Sequence, residues 1–235
     1  MLLSTGFDQN FCWKSSNSMK KSHYILFVVI GYLFSCINKS EKNDRSLMPD
    51  VKAQTINLVD SLGRIEISLP IRYDTFLKWV DYSDCGKPCN QQKYRFQPKN
   101  IPVSQESGFI WKGDLVDAVD RLTISHSQYI PFEILDTGLD LVRDKHWMGQ
   151  EMAALPNFKV NLDTIECIKD RCFSVFAMQI DDSIHTEKVI AITTVRGNRI
   201  TFDFLLRMKT ENSIYKEFVR NSLKFIQTIK FSQKQ

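Results

Sequence analysis

Alternation of apolar and polar residues in the second half of the chain limits the fold more than any other feature. Four successive segments have the β-rich composition and the period of two that are typical of half-buried strands. They lie at residues 158–168, 171–180, 187–195 and 199–207. The last two form the clearest hairpin, with Gly197-Asn198 as the expected turn and with Ile200, Phe202 and Phe204 on one face. The pattern predicts an antiparallel meander.

Earlier segments are expected to add strands to this sheet. Two short strands are predicted within 54–70, about a turn at Ser61 to Gly63, and the second carries Ile65, Ile67 and Leu69 on one face. Further strands are predicted at 93–97, 108–112 and 121–130.

Three segments favour helices instead. Asp74 is expected to cap a short helix over the apolar residues from Phe76 to Val80. A second helix is predicted between Gly138 and Leu155, and a closing amphipathic helix is predicted to begin near Asn212 or Ser213. The predicted fold class is therefore α+β, an antiparallel β-sheet (meander) packed by one or two helices.

Residues 19–36, MKKSHYILFVVIGYLFSC, have the order of an export signal. Two lysines precede an apolar run from Tyr24 to Phe34, and a polar segment follows Cys36. As a helix, this run would cover about 17 Å of a hydrocarbon core that is about 30 Å thick, so it is too short to span. A processed signal is favoured over a buried core helix, with an ordinary cleaved signal and a short uncleaved anchor as alternatives.

The end of this segment, Leu33-Phe34-Ser35-Cys36, resembles the lipobox of bacterial lipoproteins. In that family a small residue precedes a cysteine that is lipidated and then exposed by cleavage; Phe34 departs from the pattern, which has a smaller side chain there. The resemblance implies lipidation of Cys36 and stable anchoring, because two or more acyl chains hold a protein on a bilayer. It also implies a location in the bacterial cell envelope, more often at the outer membrane, with the domain outside the cytoplasm.

These features divide the chain into four parts. Residues 1–18 fit no part of a signal, so we expect them to be a non-native extension, with translation from Met19, or else a long n-region. Residues 19–35 are expected to form the signal peptide, 36–52 a polar tether and 53–235 a single domain. After cleavage the chain carries 28 basic and 26 acidic residues. Because these charges alternate in sign, no nucleic-acid partner is expected.

Four further cysteines form two close pairs, Cys85 with Cys89 and Cys167 with Cys172. An even count in an exported domain indicates disulfides. If Lys169-Asp170 is a tight turn, Cys167 faces Cys172 across a hairpin and within reach of a bridge. All three pairings stay open, because the sequence does not determine connectivity. A disulfide between the two pairs would constrain the unfolded chain more than a local one, but we favour the local pairing.

Two other uses of these cysteines are alternatives to disulfides. A metal site would bring all four thiolates to one point, with three and four intervening residues in place of the usual two. A redox motif would have two residues between its cysteines and a helix after them, and CGKPC has neither. The competing function is thus a metal- or thiol-handling envelope protein.

The sequence offers little catalytic chemistry. It contains no GxSxG, HExxH, phosphate-loop or GxGxxG motif. His126 is expected to be a hydrogen-bonded core residue, and His146 is expected on a solvated helix flank. Asp181, Asp182 and His185 contain ligand types for a metal but are more typical of a polar turn. We expect no enzymatic activity, no metal and no cofactor.

Aromatic residues flank the first cysteine pair, namely Trp79, Tyr82, Tyr94, Phe96 and Trp111. Together they could line a surface for a partner or a ligand, or they could fill the core.

Three features together resemble the PsbP-like sandwich, a fold shared by photosystem extrinsic subunits and small bacterial envelope lipoproteins. They are the early strand ending in proline, IEISLP, the late meander, and the closing helix followed by TIKF at 228–231. The resemblance covers roughly 53–231 and implies an α/β sandwich, but no active site, because that fold has no general one. The expected function is that of a membrane-anchored envelope lipoprotein whose domain binds an unknown envelope protein or ligand without catalysis.

Overall fold

Residues with high strand propensity dominate the described part of the chain. The computed structural model describes residues 50–59, 62–87, 89–103, 118–128, 158–169, 171–180, 184–209 and 217–232. About two thirds of these residues are in strands, and the strands form two antiparallel sheets.

The smaller sheet has three described strands, in the order β1-β2-β10. Its strands are β1 (Val51–Asn57), β2 (Arg64–Pro70) and β10 (Lys230–Ser232). The first two form the hairpin predicted within 54–70, although β1 begins inside the segment predicted as tether. Ile65, Ile67 and Leu69 are buried on one face of β2, as predicted.

The larger sheet has seven described strands in the order β3-β4-β5-β9-β8-β7-β6. Its strands are β3 (Thr75–Asp81), β4 (Gln91–Gln97), β5 (Val119–Ser127), β6 (Phe158–Ile168), β7 (Arg171–Ile180), β8 (His185–Val195) and β9 (Asn198–Met208). The four strands predicted for the meander are confirmed, and each neighbouring pair is antiparallel.

One hydrophobic core joins the two sheets to helix α1 (Phe218–Gln227). The helix contacts β2 and β8, and the Phe225 ring stacks against that of Phe204 with 6.3 Å between centroids. Ile200, Phe202 and Phe204 share the buried face of β9, as their alternation predicted.

The predicted α+β class is wrong for the described residues, because they are mostly strand and contain one helix. The expected helix after Asp74 is instead strand β3. The Asp74 carboxylate accepts a hydrogen bond from the backbone N–H of Lys99 at 2.7 Å, so it stabilises a neighbouring loop and not a helix N-terminus. Thr75, Trp79 and other β-branched or aromatic residues of this segment also favour a strand.

Several predictions on secondary structure lie outside the described residues. These are the strand at 108–112, the helix between Gly138 and Leu155, and the first residues of the closing helix. From Phe218 onward, that closing helix is present as α1.

The turn between β8 and β9 lies one residue earlier than predicted. Val195 pairs with Asn198, and the turn residues are Arg196 and Gly197, with φ of 51° and 73°. A two-residue hairpin turn of this kind needs positive φ at both central residues, because that backbone geometry matches the right-handed twist of the two strands. Because arginine rarely adopts positive φ, the sequence favoured the Gly-Asn pair.

The antiparallel strands give the larger sheet two distinct ends. Thr75 and Gln97 lie at one, which we call the N-terminal end. The backbone N–H of Ile71 donates to the carbonyl of Asp50 at 2.8 Å, so the chain reaches the domain at this end. At the other end lie the β3–β4 loop, the β6–β7 turn and the β8–β9 turn, and we call it the disulfide end.

The larger sheet also has two described edges, β3 and β6. The pairing of β6 with β7 shifts register between Val160 and Leu162, which marks a β-bulge. Among the described residues, no helix is both long and apolar enough to cross a bilayer.

Candidate binding site

A cleft lies at the N-terminal end of the larger sheet, where two loops face each other. One loop follows β2 and contributes Arg72 and Asp74; the other follows β4 and contributes Pro98, Lys99 and Asn100. The cleft has a volume of about 550 Å³. The hydrogen bond from Lys99 to the Asp74 carboxylate joins the two loops.

A buried carboxylate holds the first loop against the larger sheet. Asp120 on β5 accepts hydrogen bonds from Arg72 Nε at 2.7 Å and from the Tyr73 hydroxyl at 2.6 Å. The Asp120 side chain is 4% exposed, and that of Arg72 is 33% exposed. The pair therefore fixes one face of the guanidinium and leaves the side chain at the wall of the cleft.

Electrostatic interactions keep Arg72 and Tyr73, both in the loop after β2, in their protonated forms. Burial by itself lowers the pKa of Arg72, but the hydrogen bond and the negative charge of Asp120 outweigh burial and raise it. Burial and then the charge of Asp120 raise the pKa of Tyr73 well above its usual value. Tyr73 is thus no candidate for a general base, and the two cations at the cleft, Arg72 and Lys99, are suited to binding.

Both cysteine pairs are disulfide-bonded in the local arrangement, and both lie at the disulfide end of the sheet. Cys85 and Cys89 are 5.8 Å apart between Cα atoms, and Cys167 pairs with Cys172 across the β6–β7 hairpin. Because cytosolic thiols are kept reduced, the disulfides indicate that this domain works outside the cytoplasm.

The loop closed by Cys85 and Cys89, which we call the stapled loop, is exposed and is stabilised by hydrogen bonds within the loop. The Asn90 side chain is buried and accepts a hydrogen bond from the backbone N–H of Ser83 at 3.0 Å. Gly86 has φ of 81°, in the left-handed region that glycine adopts without strain. Tyr82, at the start of the loop, is 67% exposed.

The four cysteines do not converge on one point. One pair is at the β3–β4 loop and the other at the β6–β7 hairpin, which lie at opposite edges of the sheet. With about 4.8 Å between neighbouring strands, the two pairs are about 24 Å apart. A single metal ion cannot contact all four sulfurs.

Two of the three histidines considered in the sequence lie in the described part of the chain. His126 is buried on β5, with Nδ1 at 2.8 Å from the Ser127 carbonyl and Nε2 at 3.3 Å from the Tyr94 hydroxyl, as a hydrogen-bonded core residue would be. His185 on β8 lies 3.2 Å from Glu187. His146, Asp181 and Asp182 lie outside the described residues.

The structure separates the aromatic residues that the sequence analysis grouped. Trp79 pairs with Lys93 while Tyr94 is the next residue along β4, so Trp79 and Tyr94 point to opposite faces of the sheet. Tyr94 is buried, burial raises its pKa to about 12, and Phe96 lies on the same core face. Tyr82 is exposed at the stapled loop, and Trp111 lies outside the described residues.

A buried cationic cluster on the other face of the larger sheet was not found by sequence reasoning. The Arg95 guanidinium lies 4.8 Å from the Trp79 ring centroid, and Arg95 Nε donates to the Thr123 hydroxyl at 3.4 Å. Burial and then the charge of Arg95 lower the pKa of Arg121 to about 10, while Asp203 acts in the opposite direction. The sequence signal that could have revealed this cluster is the alternation of Arg95 and Arg121 with apolar core residues, in YRF and DRLT.

The residues of the cleft were also missed. Arg72 and Asp120 are 48 positions apart in sequence, and neither belongs to a recognisable motif. Only the fold brings them together.

Comparisons with known proteins show similarity in structure alone. No protein-family model matches the chain, and no curated protein matches its sequence. Among solved structures, cyanobacterial PsbP (CyanoP) from Synechocystis sp. PCC 6803 is 14% identical, with a TM-score of 0.42, over 78% of this chain and 94% of that one. LpqN of Mycobacterium tuberculosis, involved in cell envelope biogenesis, is 8% identical, with a TM-score of 0.36, over 78% and 92%.

A third structure, a protein of unknown function from Pseudomonas aeruginosa called PA94, is 12% identical, with a TM-score of 0.35, over 78% of this chain and 99% of that one. All three TM-scores are below 0.5. The similarities therefore establish neither a family nor a function, and the resemblance to the PsbP-like sandwich stays a prediction.

Proposed function

We propose that the chain is a bacterial envelope lipoprotein, anchored to a membrane through Cys36, whose domain binds a protein or ligand without catalysis. The observation that carries the proposal is that the attached end of the domain and the disulfide-closed loop lie at opposite ends of the larger sheet. The chain reaches the domain at Asp50, at the N-terminal end of the larger sheet, and the stapled loop with Tyr82 lies at the opposite end. This arrangement presents the loop away from the point of attachment.

Cysteine chemistry supports the anchor. Cys85, Cys89, Cys167 and Cys172 are consumed by two disulfides, so these thiols are not available for lipidation or for a thiolate metal site. Cys36 stands apart from them in the sequence, at the position where a lipobox has its acceptor. A multiply acylated cysteine holds a domain on a bilayer, whereas one chain binds only marginally.

The binding role is supported by the shape of the disulfide end. A ring closed by a disulfide loses few degrees of freedom on binding, because its backbone is already restricted. Tyr82 provides an exposed aromatic side chain, a residue type enriched at protein interfaces. The loop is thus suited to recognition of a protein partner in the envelope.

Metabolic labelling with a palmitate analogue tests the anchor in a bacterial host with a lipoprotein pathway. The full-length chain is expected to incorporate the label and to float with membranes, and Cys36→Ser is expected to lose both properties. The double variant Cys85→Ala/Cys89→Ala, which removes two cysteines of the domain, is the matched control and keeps both. Equal labelling of the Cys36→Ser variant would contradict the proposal, and separation of the two membranes on a density gradient tests the expectation of an outer-membrane location.

Site-specific photo-cross-linking tests the binding role in the same cells. A photoreactive residue in place of Tyr82 is expected to give a discrete adduct, and one in place of the exposed Ile165 on β6 is the control. Loss of the adduct in a Cys85→Ala/Cys89→Ala variant is expected, because the loop is then no longer closed. Identical adducts from positions 82 and 165 would contradict a specific surface at the loop.

A further inference from the structure

The large apolar side chains that remain exposed are concentrated at one end of the domain. Among the described residues, seven such side chains are exposed, and four of them, Val51, Ile71, Phe76 and Val103, follow or flank the loops at the N-terminal end. We call these four residues, together with Arg72 and Lys99, the N-terminal face. Exposed apolar groups in such a concentration mark an interaction surface.

Hydrogen bonds and strand pairing place these residues at one end. Val103 lies two residues after Ile101, whose carbonyl accepts a hydrogen bond from Gln97 Nε2 at 2.8 Å. Val51 pairs with Pro70, the residue before Ile71, and the N–H of Ile71 donates to the carbonyl of Asp50. Phe76 pairs with Phe96 at the adjacent ends of β3 and β4, with 4.9 Å between ring centroids. The cleft between the two loops lies at the same end and is lined by Arg72, Asp74, Pro98, Lys99 and Asn100.

We propose that the N-terminal face rests on the phospholipid bilayer to which Cys36 is anchored, with Ile71 and Val103 in the interfacial zone and with Lys99 and Arg72 at lipid phosphates. The inference rests on the proposed anchoring at Cys36.

The point of attachment favours a bilayer over other occupants of this face. The 14 residue steps from Cys36 to Asp50 span at most about 50 Å, so the anchor keeps Asp50 within about that distance of the membrane. That reach alone fixes no orientation. The apolar side chains decide it, because Val51 and Ile71 lie next to Asp50 and gain from leaving water at the interface, whereas the stapled loop at the opposite end carries the charged residues Asp84 and Lys87.

The cations of the face also fit a lipid headgroup, and the carboxylate of Asp74 in the same cleft is occupied by the backbone N–H of Lys99. Asp120 accepts from Nε and Nη2 of Arg72 and so orients its guanidinium at the cleft. Lys99 contributes a second cation from the opposite loop, and the long side chains of Arg and Lys reach the interface while their stems contact apolar surface. Apolar residues beside cations are the composition that interfacial segments use.

Fluorescence quenching by brominated lipids tests the orientation with the full-length lipidated protein in vesicles. Ile71→Trp places a new indole at the N-terminal face, and Ile165→Trp places one at the far edge of the sheet as the matched control. The difference between variant and parent emission isolates the added residue. Trp at 71 is expected to lose about half of its emission in brominated vesicles, and Trp at 165 is expected to lose little, because only the first enters the acyl boundary.

The outcomes separate this inference from the anchoring on which it rests. If the protein floats with the vesicles and neither indole is quenched, the anchor holds and the proposed contact is wrong. If the protein does not float, lipidation at Cys36 fails and the proposed function fails with it. Concentration-dependent dimerisation that buries position 71 without quenching would show a second copy on the face and would also overturn the proposal.

Charge reversal tests the role of the cleft. Lys99→Glu is expected to reduce the quenching of Trp at 71 in vesicles of phosphatidylglycerol by about twofold, because it places a carboxylate against lipid phosphates. Lys87→Glu, at an exposed position of the stapled loop at the opposite end, is the matched control and is expected to leave quenching unchanged. Equal effects of the two reversals would contradict phosphate recognition in the cleft.

Discussion

Replacement of Asp120 by asparagine tests whether the buried carboxylate fixes the loop that carries Arg72. The carboxylate accepts two short hydrogen bonds, from Arg72 Nε at 2.7 Å and from the Tyr73 hydroxyl at 2.6 Å, and Arg72 Nη2 lies at 3.5 Å. A hydrogen bond to a charged group contributes about 1.5–3 kcal/mol, so the two short bonds together set an upper range of about 3–6 kcal/mol.

Two features of the site reduce this figure for the asparagine variant. The Arg72 side chain is one-third exposed, so solvent screens its attraction to Asp120. The asparagine carbonyl also remains able to accept from Tyr73. We therefore expect Asp120→Asn to lower the free energy of unfolding by about 2–3 kcal/mol, and Asp120→Ala, which removes both acceptors, to lower it by about 3–5 kcal/mol.

Urea unfolding followed by circular dichroism measures these differences, with thermal unfolding as a second observable. For a domain of this size, a loss of 2–3 kcal/mol corresponds to a fall in Tm of about 5–10 °C. Asp84→Asn, in the exposed stapled loop, is the control and is expected to change stability by less than about 0.5 kcal/mol. If Asp120→Asn is as stable as this control, the contacts of Asp120 do not stabilise the fold.

A double-mutant cycle separates the ion pair from the other contacts of Asp120. If the pair matters, Arg72→Met is expected to cost less in the Asp120→Asn background than in the wild type, by about 1 kcal/mol or more. An equal cost in both backgrounds would assign the stabilisation to Tyr73 alone.

Three further predictions concern the sheet. Replacement of Cys167 and Cys172 by alanine is expected to lower stability by about 2 kcal/mol, since the ring is short; urea unfolding of this variant against the wild type checks it. The folded-state pKa of Tyr94, about 12, exceeds the unfolded value of about 10, so its stabilisation is present below pH 10 and lost between pH 10 and 12. In denaturant titrations between pH 9 and 12, the free energy of unfolding of Tyr94→Phe should therefore fall by roughly 2 kcal/mol less than that of the wild type. An equal fall in both proteins would refute the raised pKa of Tyr94. Gly197→Ala, at φ of 73°, is expected to cost about 1 kcal/mol in thermal unfolding.

Local pattern was enough to predict the strands of the meander and the cysteine-bearing hairpin. Ile200, Phe202 and Phe204 alternate because one face of β9 is buried, and that period can be read from the sequence. Burial of His126 in phase with its neighbours could be read in the same way. These features depend on residues a few positions apart.

Predictions failed where a distant contact decided the outcome. Asp74 has the residue type of a helix cap, but its carboxylate is used by Lys99, 25 positions later. The sequence left open whether Trp79 and Tyr94 line one surface or fill the core, and only strand pairing shows that they point to opposite faces. The cleft was missed for the same reason, because Arg72 meets Asp120 only after β5 has joined the sheet.

The bulge in β6 has a consequence for solubility. As a described edge of the larger sheet, β6 is the kind of strand to which another chain can add, and Val160 and Ile165 are exposed on it. The register shift between Val160 and Leu162 interrupts the regular spacing of backbone groups that an incoming strand would need, and the charged Lys159 and Asp163 flank it. The irregularity thus protects a long, partly apolar edge from growing into an aggregate.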